Sequence, residues 1–238
     1  MVRALLVAVR APVASFRRPL DHNYQRSLPL PPPTTVIGLA GAALGLSDRQ
    51  LWAEDSPLHQ VAVAAWADAE PGRARDMWTV LKVKGGKIAE RSPYFRELLF
   101  FARYTLVYGG PDNVLERMAA AFADPVYPLS LGREDELALV DEVALEETAA
   151  GEPRFWGTVL PGDVRGISLR PALRPGTRME PILVETLPLS FRLDDRGIRN
   201  PERMTVLSFL PFQVEMEVPS PWFPVLQLRG RNFAWLNS

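Results

Sequence analysis

Arg17, Arg18 and Arg26 lie within ten residues of one another, in a segment that also carries Phe16 and Tyr24 and runs on to Thr34 and Thr35. Guanidinium forks bind phosphate oxygens two at a time, aromatic rings stack bases, and a helix start offers unpaired backbone N–H groups to an anion. In this segment Arg17, Arg18 and Arg26 would hold an RNA backbone, Phe16 or Tyr24 would stack a base, and Thr34 or Thr35 would open a helix that receives a phosphate. The chemistry is that of gripping a polyanion. The plain alternative is a solvated proline loop with Phe16 turned into the core.

Two further groups could serve the same end. Lys82, Lys84, Lys87, Arg91 and Arg96 surround a Gly85-Gly86 pair, and all three lysines of the chain are among them. They suit a basic finger laid on nucleic acid or a neighbouring subunit, or an ordinary exposed hairpin. Leu131-Gly132-Arg133-Glu134 could be a glycine turn whose amides and Arg133 meet a phosphate, or only a β-turn. His22 and His59 read as incidental.

The composition excludes several chemistries. With no cysteine in 238 residues, disulfides, thiolate zinc sites and a cysteine nucleophile are ruled out. Two histidines do not make a histidine-rich metal centre, and neither metal nor cofactor is expected. No P-loop, dinucleotide fingerprint, metal-binding helix motif or nucleophile elbow occurs. Gly38-Leu39-Ala40-Gly41 lacks the spacing of a fingerprint and reads as a helix packed closely on a sheet. The longest apolar run, Val36 to Leu46, spans 11 residues, too short to cross a bilayer. The first residues read as a strand and show no signal pattern, so a soluble, cytoplasmic protein with no membrane partner is expected.

The net charge of −1 is unevenly spread, at +5 over residues 1–110, −8 over 111–150 and +2 over 151–238. A basic first half beside an acidic stretch points to one face for an anion and another for a basic partner. Chance variation along the chain is the alternative.

The elements that must position these residues follow from apolar runs and breakers. Residues 2–9 read as a buried strand. Residues 11–33 hold six prolines and are expected to lack regular structure. Thr34 or Thr35 would cap a Gly- and Ala-rich helix over Val36–Leu46. Val61–Ala67 is the next strand. A hairpin arm over about 70–97 turns at Gly85-Gly86, and Leu98–Tyr108 returns to the core. Asp112 would cap a helix over Asn113–Phe122 with its apolar stripe at Val114, Leu115, Met118 and Phe122, and Glu136–Leu145 is the last strand of this half.

The order strand, helix, strand, strand, helix, strand is the split βαβ, ferredoxin-like arrangement that RNA-recognition modules share. Residues 151–238 contain 11 prolines and short β-like runs at Phe155–Leu160, Pro181–Leu187, Thr205–Leu210, Val214–Val218 and Val225–Leu228. The expected fold is α+β, with a ferredoxin-like domain over 1–150, a protruding hairpin, and a small antiparallel β domain over 151–238.

Four features together resemble the CRISPR-associated Cas-five family, the repeat-associated (RAMP) RNA-binding subunits of type I Cascade complexes. They are the short first strand, the Phe16-Arg17-Arg18-Pro19 loop, the Pro31-Pro32-Pro33-Thr34-Thr35-Val36-Ile37-Gly38-Leu39 helix start, and the Tyr127-Pro128-Leu129-Ser130-Leu131-Gly132-Arg133 turn. The resemblance covers residues 1–145 in order and spacing. It implies a ferredoxin-like domain with a projecting thumb, and an RNA-binding protein of antiviral defence. It also implies that the chain holds the 5′ handle of the CRISPR RNA beside the large subunit and the last backbone subunit, reaching target DNA only indirectly.

Most of the family is not catalytic, because a separate ribonuclease cuts the precursor. One subtype processes RNA through a tyrosine, a lysine and a histidine, the latter two adjacent. No Lys-His pair occurs here, which argues against cleavage, while Tyr24 and His22 in one loop leave a metal-independent endoribonuclease as the alternative. A pure protein scaffold would leave the basic loop unexplained.

Overall fold

A computed structural model describes residues 2–173, 176–177 and 179–237. The chain runs through β1 (Arg3–Ala14), β2 (Tyr24–Gln25), α1 (Pro33–Ala43), α2 (Asp48–Leu51), β3 (Ala62–Ala69), β4 (Gly72–Lys84), β5 (Lys87–Gly109), α3 (Asp112–Ala123) and β6 (Leu139–Glu147) before a β-rich remainder. In the main sheet β6, β1, β5 and β3 lie side by side, each antiparallel to its neighbour.

The opening apolar run has no polar alternation because both faces of β1 are covered. Leu5, Val7 and Val9 share a core with Val36, Leu39 and Ala40 of α1 and with Leu115, Met118 and Phe122 of α3. Ala4 and Leu6 face the other way, joining Trp66, Val107, Leu228 and Phe233. Each large side chain so buried contributes about 1.5–3 kcal/mol. Two buried tyrosines then tie the sheet to what precedes and opens α1: the Tyr104 hydroxyl donates to the Pro29 carbonyl at 3.0 Å, and that of Tyr108 to Val36 at 2.9 Å.

β5 is 23 residues long. Its second half is core, while its first half leaves the body with β4 as an exposed arm. Gly85 and Gly86 close that arm with φ of 60° and 75°, the double positive φ of a two-residue type I′ hairpin, and Lys84 stands opposite Lys87. The expected arm is present.

Several expected boundaries move. β1 continues through Pro12 to Ala14, and β2 adds a second regular piece, so residues 11–33 are not devoid of structure. Beyond Arg10 the strand has lost its β6 neighbour, and on such an edge a missing N–H costs no ladder bond. Thr34 and Thr35 do not cap α1. Pro32 is the N-cap and Pro33 the first helical residue, with no side-chain cap, because the first-turn N–H that proline lacks has no intrahelical partner to lose. Pro111 likewise precedes α3, and Asp112 stands in its first turn, where a carboxylate suits the helix dipole. β6 starts at Leu139 rather than Glu136, whose carboxylate is drawn onto the Ser15 hydroxyl at 2.7 Å.

Part of the acidic stretch is paired within the fold. Arg3 pairs with Glu116 at 2.9 Å, Arg10 with Asp141 at 2.7 Å, and Arg229 reaches both Glu142 and Glu146.

The remainder comprises β7 (Ala149–Ala150), β8 (Arg154–Phe155), β9 (Val159–Pro161), β10 (Arg170–Ala172), β11 (Leu183–Pro188), β12 (Phe191–Leu193), β13 (Arg199–Pro201), β14 (Met204–Phe209), β15 (Glu215–Glu217), β16 (Leu226–Leu228) and β17 (Arg231–Phe233). Instead of one sheet these strands make several small antiparallel ones, since frequent prolines keep each run short. Phe155, Leu160, Val214 and Met216 build a core of their own, while Val159, Leu187, Leu207 and Phe209 join the main one.

Candidate nucleic-acid interface

A cleft of about 930 Å³ is walled by four separated segments: the loop after β1 (Arg17, Arg18), the first turn of α1 (Thr34, Thr35), the arm base (Trp78, Arg96) and the turn at Gly132-Arg133. Leu187, Pro188 and Phe191 close its remaining side.

The loop after β1 is a small hairpin. Arg18 N–H donates to the Arg26 carbonyl at 2.9 Å, and Leu28 N–H to that of Phe16 at 2.7 Å. Phe16 is 3% exposed and meets Tyr104 edge-on at 5.9 Å. It is therefore core and cannot stack a base, which corrects the expectation. With Phe16 turned in, Arg17 is turned out and exposed. Arg18 is held by Glu185 of β11, with its side chain 22% exposed. Arg26 clamps the buried Asp21 through Nε at 3.1 Å, Nη2 at 2.7 Å and its backbone N–H at 2.7 Å. Those hydrogen bonds hold the Asp21 carboxyl below the usual range. Arg26 is thus a structural clamp for the loop, outside the cleft wall.

β2 decides the next assignment. It runs parallel to β5 with Tyr24 beside Phe95 and Gln25 beside Arg96, and successive strand residues face opposite ways. Tyr24 therefore points away from the cleft. Its hydroxyl donates to Glu97 at 2.9 Å, and Arg75 lies 5.7 Å from its ring. Burial and the Glu97 charge both raise its pKa. Gln25 takes the cleft-facing position instead, and its Oε1 accepts from Arg133 Nη2 at 2.6 Å.

The glycine turn is forced. Gly132 has φ of 131°, and a Cβ there would stand 2.0 Å from the Ser15 carbonyl oxygen and 2.2 Å from Glu136 Oε2. The Arg133 N–H is already taken by Glu136 at 2.8 Å, so the turn offers its side chain, not that amide, to a ligand. The Arg133 guanidinium lies 4.7 Å from the Trp78 ring and that of Arg96 5.2 Å from it. Asp76 holds Arg96 Nε at 2.7 Å. Burial first, then the neighbouring Arg96 charge, lowers the pKa of Arg133. Its Nη1 is buried without a partner. Glu136 and Asp135 oppose that lowering, and Glu134 and Asp135 also line the cleft, so the unsatisfied Arg133 donor, not a purely basic wall, is what an anion relieves.

The arm cations other than Arg96 lie elsewhere. Lys82 pairs with Glu90 at 2.8 Å, and Lys84, Lys87 and Arg91 stand exposed beyond the cleft. No histidine, tyrosine or lysine lines the cleft among the described residues. Trp78 and Gln25 were missed from the sequence. A tryptophan between Arg75 and Lys82 on the arm strand was the available signal for Trp78, whereas nothing local distinguishes Gln25.

A family model described as CRISPR-associated protein (Cas_Cas5) matches residues 4–203. A solved structure described as a CRISPR RNA-guided surveillance complex superposes with a TM-score of 0.58 at 16% identity, covering 89% of this chain and 91% of that one. A CRISPR protein from Archaeoglobus fulgidus gives 0.54 at 12% identity, covering 98% and 100%. At such identities the structural likeness speaks to fold alone. No curated protein matches the sequence. The family match spans most of the residues that build the main sheet and the cleft, and on it this chain belongs to the Cas5 family of CRISPR-associated proteins.

Proposed function

We propose that this chain is a non-catalytic CRISPR RNA-binding subunit of a type I effector complex. It holds the 5′ handle in the cleft beside the large subunit and the terminal backbone subunit. The observation that carries this reading is the meeting of Arg17, Arg96 and Arg133 at the start of α1, with Trp78 beside them. Phosphate oxygens satisfy guanidinium donors in pairs, and the start of α1 adds the Thr34 N–H, since Pro33 has none and the Thr35 N–H donates to the Pro32 carbonyl at 2.9 Å. The β6-β1-β5-β3 order with two helices on one face also fits the ferredoxin-like arrangement of RNA-binding modules. The superposed surveillance complex is, by its description, RNA-guided.

Cleavage of precursor RNA draws less support. It needs a base near the 2′-hydroxyl and a cation on the developing charge, whereas Tyr24 is engaged by Glu97 and no histidine faces the cleft. Electrophoretic shift of handle RNA at two salt concentrations tests the proposal. Saturable binding that weakens with salt is expected, and no shift at low salt overturns it.

A further inference from the structure

β11 and β14 form an antiparallel ribbon that runs on beyond the three-stranded sheet they share with β9. Leu189 N–H donates to the Arg203 carbonyl, and Glu202 N–H to that of Ser190 at 3.0 Å, so β12 and β13 are the outer half of the same ribbon. The two halves are held differently. Leu187, Leu207 and Phe209 anchor the inner half in the main core. From Ser190 to Met204 no residue is buried, and among the described residues β12 and β13 pair only with each other.

Contacts with α2 and its end hold the outer half. Arg199 forks onto Asp48 at 2.7 and 2.5 Å, Arg49 reaches the Asp195 carbonyl at 3.5 Å, and Trp52 meets the Phe191 ring edge-on at 5.2 Å. The Arg199 and Asp48 side chains are 52% and 38% exposed, and an ion pair so placed contributes little. The packing beneath is incomplete. Cavities of about 60 and 300 Å³ lie between the ribbon and the segment around Trp52, which lines both. Trp52 Nε1 and Ser190 Oγ, one from each side of the smaller cavity, are buried without a protein partner.

The same ribbon walls the cleft. Phe191 lines it beside Leu187 and Pro188. Phe191 and Arg199 also line a side cavity of about 310 Å³ that shares Thr34, Thr35 and Gly132 with the cleft. We infer that the outer ribbon is a gate. It pivots where Leu189 and Ser190 face Glu202 and Arg203, lifts from α2 to admit a strand at the start of α1, and closes over that strand with Phe191. The admission of a strand rests on the function proposed above; the pivot does not. A segment without buried residues opens locally at a small fraction of the cost of global unfolding. Lifting also brings water to both unpartnered groups, which lowers that cost further.

The chain has no cysteine, so an introduced thiol reports on one place alone. In Ser190→Cys the thiol stands where a buried hydroxyl was. A thiol reagent should label it in the folded protein roughly tenfold faster, or more, than the thiol of a Ser208→Cys control, whose position in β14 is fully buried. Asp48→Asn removes the fork and lies outside the cleft wall. Added to Ser190→Cys, it should speed labelling about threefold and raise both the association and the dissociation rates of handle RNA. Bound handle RNA should slow the labelling. Labelling no faster than in the control, labelling unmoved by Asp48→Asn, or bound RNA that leaves it unchanged would each overturn the gate. If wild-type protein binds no RNA yet Asp48→Asn still speeds labelling, the functional proposal falls and the lifting ribbon stands.

Discussion

Gln25 Oε1 accepts a hydrogen bond from Arg133 at 2.6 Å, joining a two-residue strand to a glycine turn 108 residues later in the chain. That bond orients the guanidinium that stands nearest Trp78 and leaves its Nη1 for a ligand. Arg133→Ala should weaken handle-RNA binding and lower the salt dependence by a slope of about 0.7, the value for one single-strand phosphate contact. Gln25→Ala should weaken binding less and leave the slope unchanged, since it removes orientation and not charge. Titrations at three or more salt concentrations separate the two effects.

Arg17 and Arg18 adjoin in sequence and differ in role. Arg17→Ala should reduce RNA affinity with no change in melting temperature. Arg18→Ala should lower the melting temperature, because it leaves Glu185 without the guanidinium that holds β11 to the loop. A double-mutant cycle with Glu185→Ala should show the losses to be non-additive. Additive losses would remove the coupling.

Gly132→Ala tests the turn. The added Cβ meets backbone at Ser15 and the buried Glu136 carboxylate, neither of which can swing away. A loss of about 2–4 kcal/mol in denaturant unfolding is expected, with RNA binding falling in parallel. A variant as stable as wild type would show that the turn opens freely.

The loop clamp carries a pH signature. The Asp21 carboxyl sits below its ordinary value of 3.8 through its bonds to Arg26. A depressed acid stabilises the fold above its unfolded-state pKa, and that contribution is lost as pH falls through the folded value. Asp21→Asn should therefore melt lower than wild type at neutral pH, and the gap should close below pH about 4. A gap that is constant from pH 7 to pH 3 would exclude the clamp.

The protein should leave cognate repeat RNA intact, with or without chelator. His22→Ala and Tyr24→Phe should change nothing on a denaturing gel. Clean cleavage abolished by either substitution would promote the processing nuclease.

Much of the scaffold was legible because its signals are local. An apolar run reports a strand, Gly85-Gly86 reports the one turn type that needs two positive φ angles, and proline near a helix start reports a boundary to within a few residues. Pro12 misled because its effect depends on whether a neighbouring strand needs its N–H, which is a property of the sheet. Thr34 and Thr35 misled because Pro32 and Pro33 could fill the start of α1 equally well without a side-chain bond.

The sequence by itself determined which chemistry the chain could offer: arginines in number, no thiol, few imidazoles, and the order of elements that yields a β6-β1-β5-β3 sheet. Which residues meet was decided only by tertiary structure. Phe16 and Arg17 could exchange core and solvent only if β1 ended one residue differently, and Tyr24 and Gln25 exchange faces with a single-residue shift of β2 against β5. Strand alternation has period two, so a register set by distant packing, not by the residue's own chemistry, chose Gln25 for the cleft and Tyr24 for Glu97.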